Sequence, residues 1–137
     1  MAVRILIVED HDIVRRSLKD WLACAFPEHE ILEASDGQEA IDLASARGPD
    51  LILMDIGLPG LNGLEATRRI KHLLPQTQVV MLTIHEDEAY RADALASGAS
   101  AFVSKRTMQA QLLATLSDLL PRPDAARGVS LSSPGGV

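Results

Sequence analysis

Five polar residues stand where apolar runs stop. Glu9 and Asp10 close VRILIVED, Asp55 closes PDLILMD, Thr83 comes near the end of QVVMLTI, and Lys105 closes ASAFVSK. Brought to one place, the three acids would repel one another strongly. A hard divalent cation with oxygen ligands relieves that repulsion, and Mg²⁺ suits a site with few carboxylates and retained waters. A lysine and a hydroxyl beside a metal-held carboxylate point to anion handling, most simply of a phosphoryl group. An aspartate can then serve as the nucleophile and form an aspartyl phosphate.

The elements that must position these groups follow from the apolar pattern. VRILIVED is a short β-branched run and reads as a strand. DIVRRSLKDWLACAF carries Ile13, Val14, Leu18, Trp21, Leu22 and Ala25 at helical spacing, with Asp12 as its expected N-cap and Pro27 marking its end. HEILEAS, PDLILMD, QVVMLTI and ASAFVSK read as four further strands. DGQEAIDLASARG, NGLEATRRIKHLL, EDEAYRADALASG and TMQAQLLATLSDLL read as four further helices, with Gly48 and Gly98 as stops and Asn62 near the start of its helix. Strand and helix alternate five times. The strands are apolar on both faces, as a parallel sheet covered by helices requires. Right-handed crossovers then give a doubly wound (βα)5 flavodoxin-like sandwich with a five-stranded parallel sheet. In such sheets ligands sit beyond the carboxyl ends of the strands. That is where Glu9, Asp10, Asp55, Thr83 and Lys105 fall.

Composition bounds the rest. The chain has 137 residues and a net charge of −6, with no long basic run. This is the length of one domain with a sizeable core, and the charge argues against a direct nucleic-acid surface. The single cysteine, Cys24, forms no internal disulfide, and a reduced cytoplasmic compartment fits. No apolar run is long enough to span a bilayer, and no signal peptide is evident. From Pro121 the composition turns to Pro, Gly and Ser without apolar periodicity. Residues 1–120 are expected to form the domain, and residues 121–137 a flexible tail or the start of a linker.

The segments LIVEDH, LILMDIGLPGLNGLEATRRIK, VVMLTIHEDE and GASAFVSK together resemble a response-regulator receiver domain of two-component signalling, over about residues 3–120. The resemblance implies that Asp55 accepts a phosphoryl group from a sensor histidine kinase. It implies that Glu9, Asp10, Asp55 and the backbone carbonyl of Gly57 arrange Mg²⁺, some of them through water. Thr83 would bind a phosphoryl oxygen once Asp55 is modified, and Lys105 would pair with the phosphoryl group or the carboxylate. Such a receiver is a signalling protein that catalyses its own phosphoryl transfer and hydrolysis, not a turnover enzyme.

The stretch DIGLPGLNGLEATRRI followed by LTIHEDEAY is most similar to receivers of the NarL/FixJ type. These usually carry a helix-turn-helix domain, and a role in transcriptional regulation follows from that likeness. DNA would be reached through an output domain not present in this chain, and a phosphorylation-dependent homodimer is a further expectation. Two residues depart from the family pattern. Arg106 follows Lys105 where proline is common, so a cis peptide is not expected and the loop there is expected to differ in shape. Phe102, at the switch-aromatic position three residues before the lysine, replaces the usual tyrosine and has no hydroxyl to bond. His85, two residues past Thr83, borders the phosphoryl position in the family and is a candidate for tuning hydrolysis.

Each residue also has a plainer reading. Alone, Asp10 reads as a helix cap, Glu9 as a solvated acid, Thr83 as a β-branched strand residue and Phe102 as core. Trp21 and Cys24 are expected in the core, His11 needs no special role, and Lys71 with Arg68 and Arg69 reads as a solvated helix face. A haloacid-dehalogenase-like phosphatase also uses aspartate, Mg²⁺ and lysine, but it wants a second aspartate where Gly57 stands. A degenerate receiver acting only as a binding module usually lacks the acid pair, the phosphoacceptor or the lysine, and this chain keeps all three.

Overall fold

The computed structural model describes residues 3–84 and 88–120, with the side chain of residue 109 left aside. Strands β1 (Arg4–Val8), β2 (Glu30–Ala34), β3 (Leu51–Asp55), β4 (Gln78–Thr83) and β5 (Ala101–Ser104) alternate with helices α1 (Asp12–Ala25), α2 (Gly37–Arg47), α3 (Gly63–Leu73), α4 (Glu88–Ala96) and α5 (Met108–Leu119). The five strands form one parallel sheet in the order β2-β1-β3-β4-β5. This is the expected doubly wound sandwich.

The period of two along each strand divides the core. Leu6, Val8, Ile52, Met54, Val79 and Met81 face Ala40, Ala44, Ala66, Ile70 and Ala94 of α2, α3 and α4. Ile5, Ile7, Leu51, Leu53, Val80, Leu82 and Val103 face Leu18, Leu22, Leu112 and Leu116 of α1 and α5. The central strands are therefore buried on both faces. The edge strand β2 is not: Glu30 is exposed and Ile31, Leu32 and Glu33 are half-buried.

Local chemistry sets the helix ends. The Asp36 side chain accepts from the Glu39 N–H, and the Asn62 side chain from the Glu65 N–H, each satisfying an orphan donor of the first turn. Gly48 ends α2 in the left-handed region at φ 55°, which glycine adopts without Cβ strain.

Several expectations are corrected. Asp12 does not cap α1; it is the first helical residue, and His11 occupies the cap position without a capping bond from its side chain. The Asp12 carboxylate instead meets Arg15 Nη2 at 2.7 Å. Ile13 and Val14 satisfy helical spacing yet are exposed, because the inward stripe of α1 runs through Leu18 and Leu22. Cys24 is exposed, and Trp21 is half-buried at the edge of the core. Lys71 is no solvated charge. Its Nζ donates to the Pro75 and Thr77 carbonyls at 2.7 and 2.8 Å and fastens the turn after α3. Arg68 and Arg69 do lie on an exposed face, each paired with Glu65.

Candidate functional site

Register brings the expected residues to one edge. Val8 is level with Met54, so Glu9 leaves β1 beside Asp55. Asp55 is level with Leu82, and Thr83, one step further, is level with Ser104, after which comes Lys105. The chain leaves β5 through a 3-10 turn, Lys105–Thr107, whose Arg106 N–H is capped by the Ser104 hydroxyl. That turn is the local shape of the loop that lacks the family's proline.

Lys105 Nζ lies between two buried acids, 2.8 Å from Glu9 Oε1 and 3.3 Å from Asp55 Oδ1. Asp55 Oδ1 also accepts from the Gly57 N–H at 3.2 Å. The second Glu9 oxygen accepts from the His11 backbone N–H at 3.1 Å and lies 3.1 Å from His11 Nδ1. Asp10 differs from its neighbours: its Oδ1 is enclosed and, among the described residues, accepts no hydrogen bond, with His11 Nδ1 3.4 Å away.

Charge and burial compete at each group. Burial raises the Asp55 pKa above the ordinary aspartate range, and Lys105 offsets this only in part while Glu9 adds to it. Burial also opposes ionisation of Glu9, but the hydrogen bonds from Lys105 and His11 outweigh it and hold Glu9 below the usual glutamate value. Lys105 is likewise disfavoured as a cation by burial, yet its two carboxylates push its pKa up. The hydrogen bond with Glu9 raises the His11 pKa, with Asp10 adding to the effect.

The donor set fits a hard divalent cation. Glu9, Asp10 and His11 offer ligand atoms within 4.8 Å of one another. Both Glu9 oxygens already serve nitrogen groups, so the open oxygen of the pair belongs to Asp10. A buried carboxylate oxygen with no partner is costly, and a cation would satisfy it. Gly57 is exposed in the turn after Asp55, with open space where a Cβ would stand.

Thr83 is buried at the carboxyl end of β4. Phe102 is half-buried, packs with Tyr90 against the α2–α4 side of the core, and is level with Met81 on the neighbouring strand. By alternation Thr83 faces the same side as Met81, so Thr83 and Phe102 share one face of adjacent strands. The Arg91 guanidinium lies 5.9 Å from the Phe102 ring centroid. His85 lies outside the described residues. Sequence reasoning missed two participants, His11 and Arg15. His11 is next to the acid pair in sequence, and that adjacency was the available signal. Arg15 gave none, since it stands beside Arg16 in a helix.

The response regulator receiver domain family matches residues 5–117. The chain is 40% identical over 104 residues to the transcriptional regulatory protein DegU of Brevibacillus brevis, covering 75% of this chain and 44% of that protein. It is 41% identical over 109 residues to the response regulator protein VraR of Staphylococcus epidermidis, covering 78% and 51%. It spans about half the length of these curated relatives. Among solved structures, a LuxR-family two-component response regulator from Aurantimonas sp. SI85-9A1 superposes with a TM-score of 0.82 at 32% identity, covering 93% of this chain and 94% of that one. The receiver domain of a putative NarL from Mycobacterium tuberculosis gives 0.78 at 27% identity, covering 93% and 98%.

Proposed function

This chain belongs to the response regulator receiver domain family, and on that premise we propose that it accepts a phosphoryl group on Asp55 from a sensor histidine kinase in a Mg²⁺-dependent reaction. The observation that carries this reading is the Lys105 ammonium set between Glu9 and Asp55, together with an Asp10 oxygen that accepts no hydrogen bond from the described residues. An Asp55 carboxylate oxygen attacks phosphorus, the bond to the donor's leaving group breaks, and the leaving group departs with its electron pair. Lys105 neutralises the reacting oxygens and partly offsets the effect of burial on Asp55. Asp10 would hold Mg²⁺ directly, with Asp55, the Gly57 carbonyl and, through water, Glu9 completing the set. When bound, the ion would supply charge neutralisation for the phosphoryl oxygens. The test is Mg²⁺-dependent labelling by acetyl phosphate, read as intact mass: one phosphoryl group is expected with Mg²⁺ and none with a chelator. A chain that stays unlabelled would favour a phosphorylation-independent binding module.

The metal role carries its own prediction. Asp10→Asn removes the charge from an oxygen that accepts no hydrogen bond from the described residues. Calorimetry should show Mg²⁺ affinity falling by about ten-fold or more, since a neutral amide is a poor ligand for a hard cation. Equal affinity in the two proteins would remove Asp10 from the ligand set.

The signal would pass through Thr83 and Phe102. A phosphoryl group adds negative charge and strong acceptor oxygens. Thr83 donates to one of them and moves toward Asp55, and Phe102 turns into the vacated space. The α4–β5–α5 face changes with it and serves as the dimer or output contact. Thr83→Ala should therefore still accept the phosphoryl group but lose most of the shift in NMR resonances over residues 88–120. A full wild-type response at equal phosphorylation would take Thr83 out of the coupling. The likeness to the transcriptional regulatory protein DegU supports a transcriptional output, with any DNA contact made by an output domain and not by the receiver itself.

A further inference from the structure

We propose that Arg15 is a positioning residue for the acid pair, holding the Glu9–Asp10 peptide so that Asp10 presents its open oxygen; this rests on the reading of that site as a Mg²⁺ site. The side chain of Asp10 has no hydrogen bond at Oδ1 to fix its direction. Apart from His11 Nδ1 at 3.4 Å, among the described residues its aim is set by the backbone. Four contacts hold that backbone. The Glu9 N–H donates to the Ala34 carbonyl of β2 at 3.1 Å. The His11 N–H donates to Glu9 Oε2 at 3.1 Å. The other two come from position 15: its backbone N–H, which any residue there but proline supplies, donates to the His11 carbonyl at 2.9 Å, and the Arg15 Nη1 donates to the Glu9 carbonyl at 2.8 Å. The Glu9 carbonyl belongs to the peptide that leads into Asp10, so bonding it sets the plane from which the Asp10 side chain departs.

The guanidinium is itself fixed. Nε donates to Glu33 Oε1 on β2 at 3.1 Å and Nη2 to Asp12 Oδ1 at 2.7 Å, and the side chain is only 14% exposed. Three nitrogens of one planar group thus reach three different oxygens. A lysine, as a single point charge on a flexible stem, does not reproduce this fork. Groups that orient a metal ligand without touching the metal typically change affinity by about 10- to 100-fold when removed.

The test compares the full chain with Arg15→Met, Arg15→Lys and Glu33→Gln. Two readouts are used: Mg²⁺ affinity by calorimetry, and amide hydrogen exchange at His11 without Mg²⁺. Glu33→Gln removes the charge paired with Arg15 and Lys19 but keeps an acceptor oxygen and leaves the contact with the Glu9 carbonyl, so it controls for lost charge pairing around Arg15. Arg15→Met is expected to weaken Mg²⁺ binding by about ten-fold and to speed His11 exchange, Arg15→Lys to weaken it by about three-fold, and Glu33→Gln to stay within about two-fold. Arg15→Met within two-fold of wild type on both readouts would overturn the assignment. So would a Glu33→Gln loss equal to that of Arg15→Met. If Arg15→Met does not fold, Arg15→Lys decides by the same comparison. A wild-type chain that takes up no Mg²⁺ would reject the metal site, and His11 exchange would then judge Arg15 by itself.

Discussion

Asp55→Asn is expected to take no phosphoryl group from acetyl phosphate and, at neutral pH, to melt at a higher temperature than the wild type. The first effect is chemical: an amide lacks the carboxylate oxygen that attacks phosphorus. The second follows from the electrostatics of the unmodified site. Burial, the largest influence on Asp55, disfavours its charge, and the nearby Glu9 carboxylate adds to this, so the folded-state pKa lies above the unfolded one. A raised acid pKa means that the folded protein pays to keep Asp55 ionised above that pKa, and that this cost fades as pH falls. Asparagine removes the cost, and Lys105 retains Glu9 as its partner at 2.8 Å. The advantage of Asp55→Asn should therefore be full at neutral pH. It should shrink as pH falls through the Asp55 pKa and vanish below the ordinary aspartate range. Thermal melts of both proteins across pH check it. A less stable Asp55→Asn at neutral pH would mean that the ion pair with Lys105 outweighs burial.

Gly63→Ala is expected to damage the site without touching any of its charged groups. Gly63 is the first residue of α3, and a Cβ there would stand 2.2 Å from the Asp55 carbonyl oxygen and 2.9 Å from Ile56 Cα. Both neighbours are backbone at the end of β3 and cannot rotate away. Either α3 or the segment carrying Asp55 must shift, and overpacking of this kind costs about 3 kcal/mol. Alanine's better helix propensity returns less than about 1 kcal/mol of that. A displacement of Asp55 by about 1 Å would also slow labelling by about 100-fold at saturating Mg²⁺. Denaturant unfolding and the initial labelling rate check the two parts. Wild-type stability with a wild-type rate would show that the backbones yield freely. A control at Gly57, where a Cβ meets nothing within 4 Å among the described residues, should be mild in stability by comparison.

The sequence carried the fold because the rules behind it are local. Apolar strands buried on both faces, alternating with helices, call for a parallel sheet covered by helices, while the strand order β2-β1-β3-β4-β5 is given by the structure. The carboxyl edge then collects Glu9, Asp10, Asp55, Thr83 and Lys105. Contacts that depend on distant chain segments were not legible. Arg15 and Arg16 are adjacent in a helical stretch, and only the placement of β2 decides that Arg15 turns toward Glu33 and the Glu9 carbonyl. Lys71 looked solvated because its acceptors, the Pro75 and Thr77 carbonyls, arise from a turn whose shape residue types do not dictate. Ile13 and Val14 met the helical period, but they sit on the first turn of α1, and the inward stripe of that helix runs through Leu18 and Leu22. The role of Asp12 failed by a single residue, a distance within which helix starts are set by backbone geometry more than by residue type.

The central claim is that the carboxylate at position 55 is the nucleophile. Treating the full chain with acetyl phosphate and Mg²⁺, then reducing it with borohydride, converts an aspartyl phosphate to homoserine, which peptide mapping can place. Homoserine at position 55, and only when Mg²⁺ was present, is the predicted result. Homoserine at position 10, its glutamate counterpart at position 9, or no reduced residue at all would contradict it.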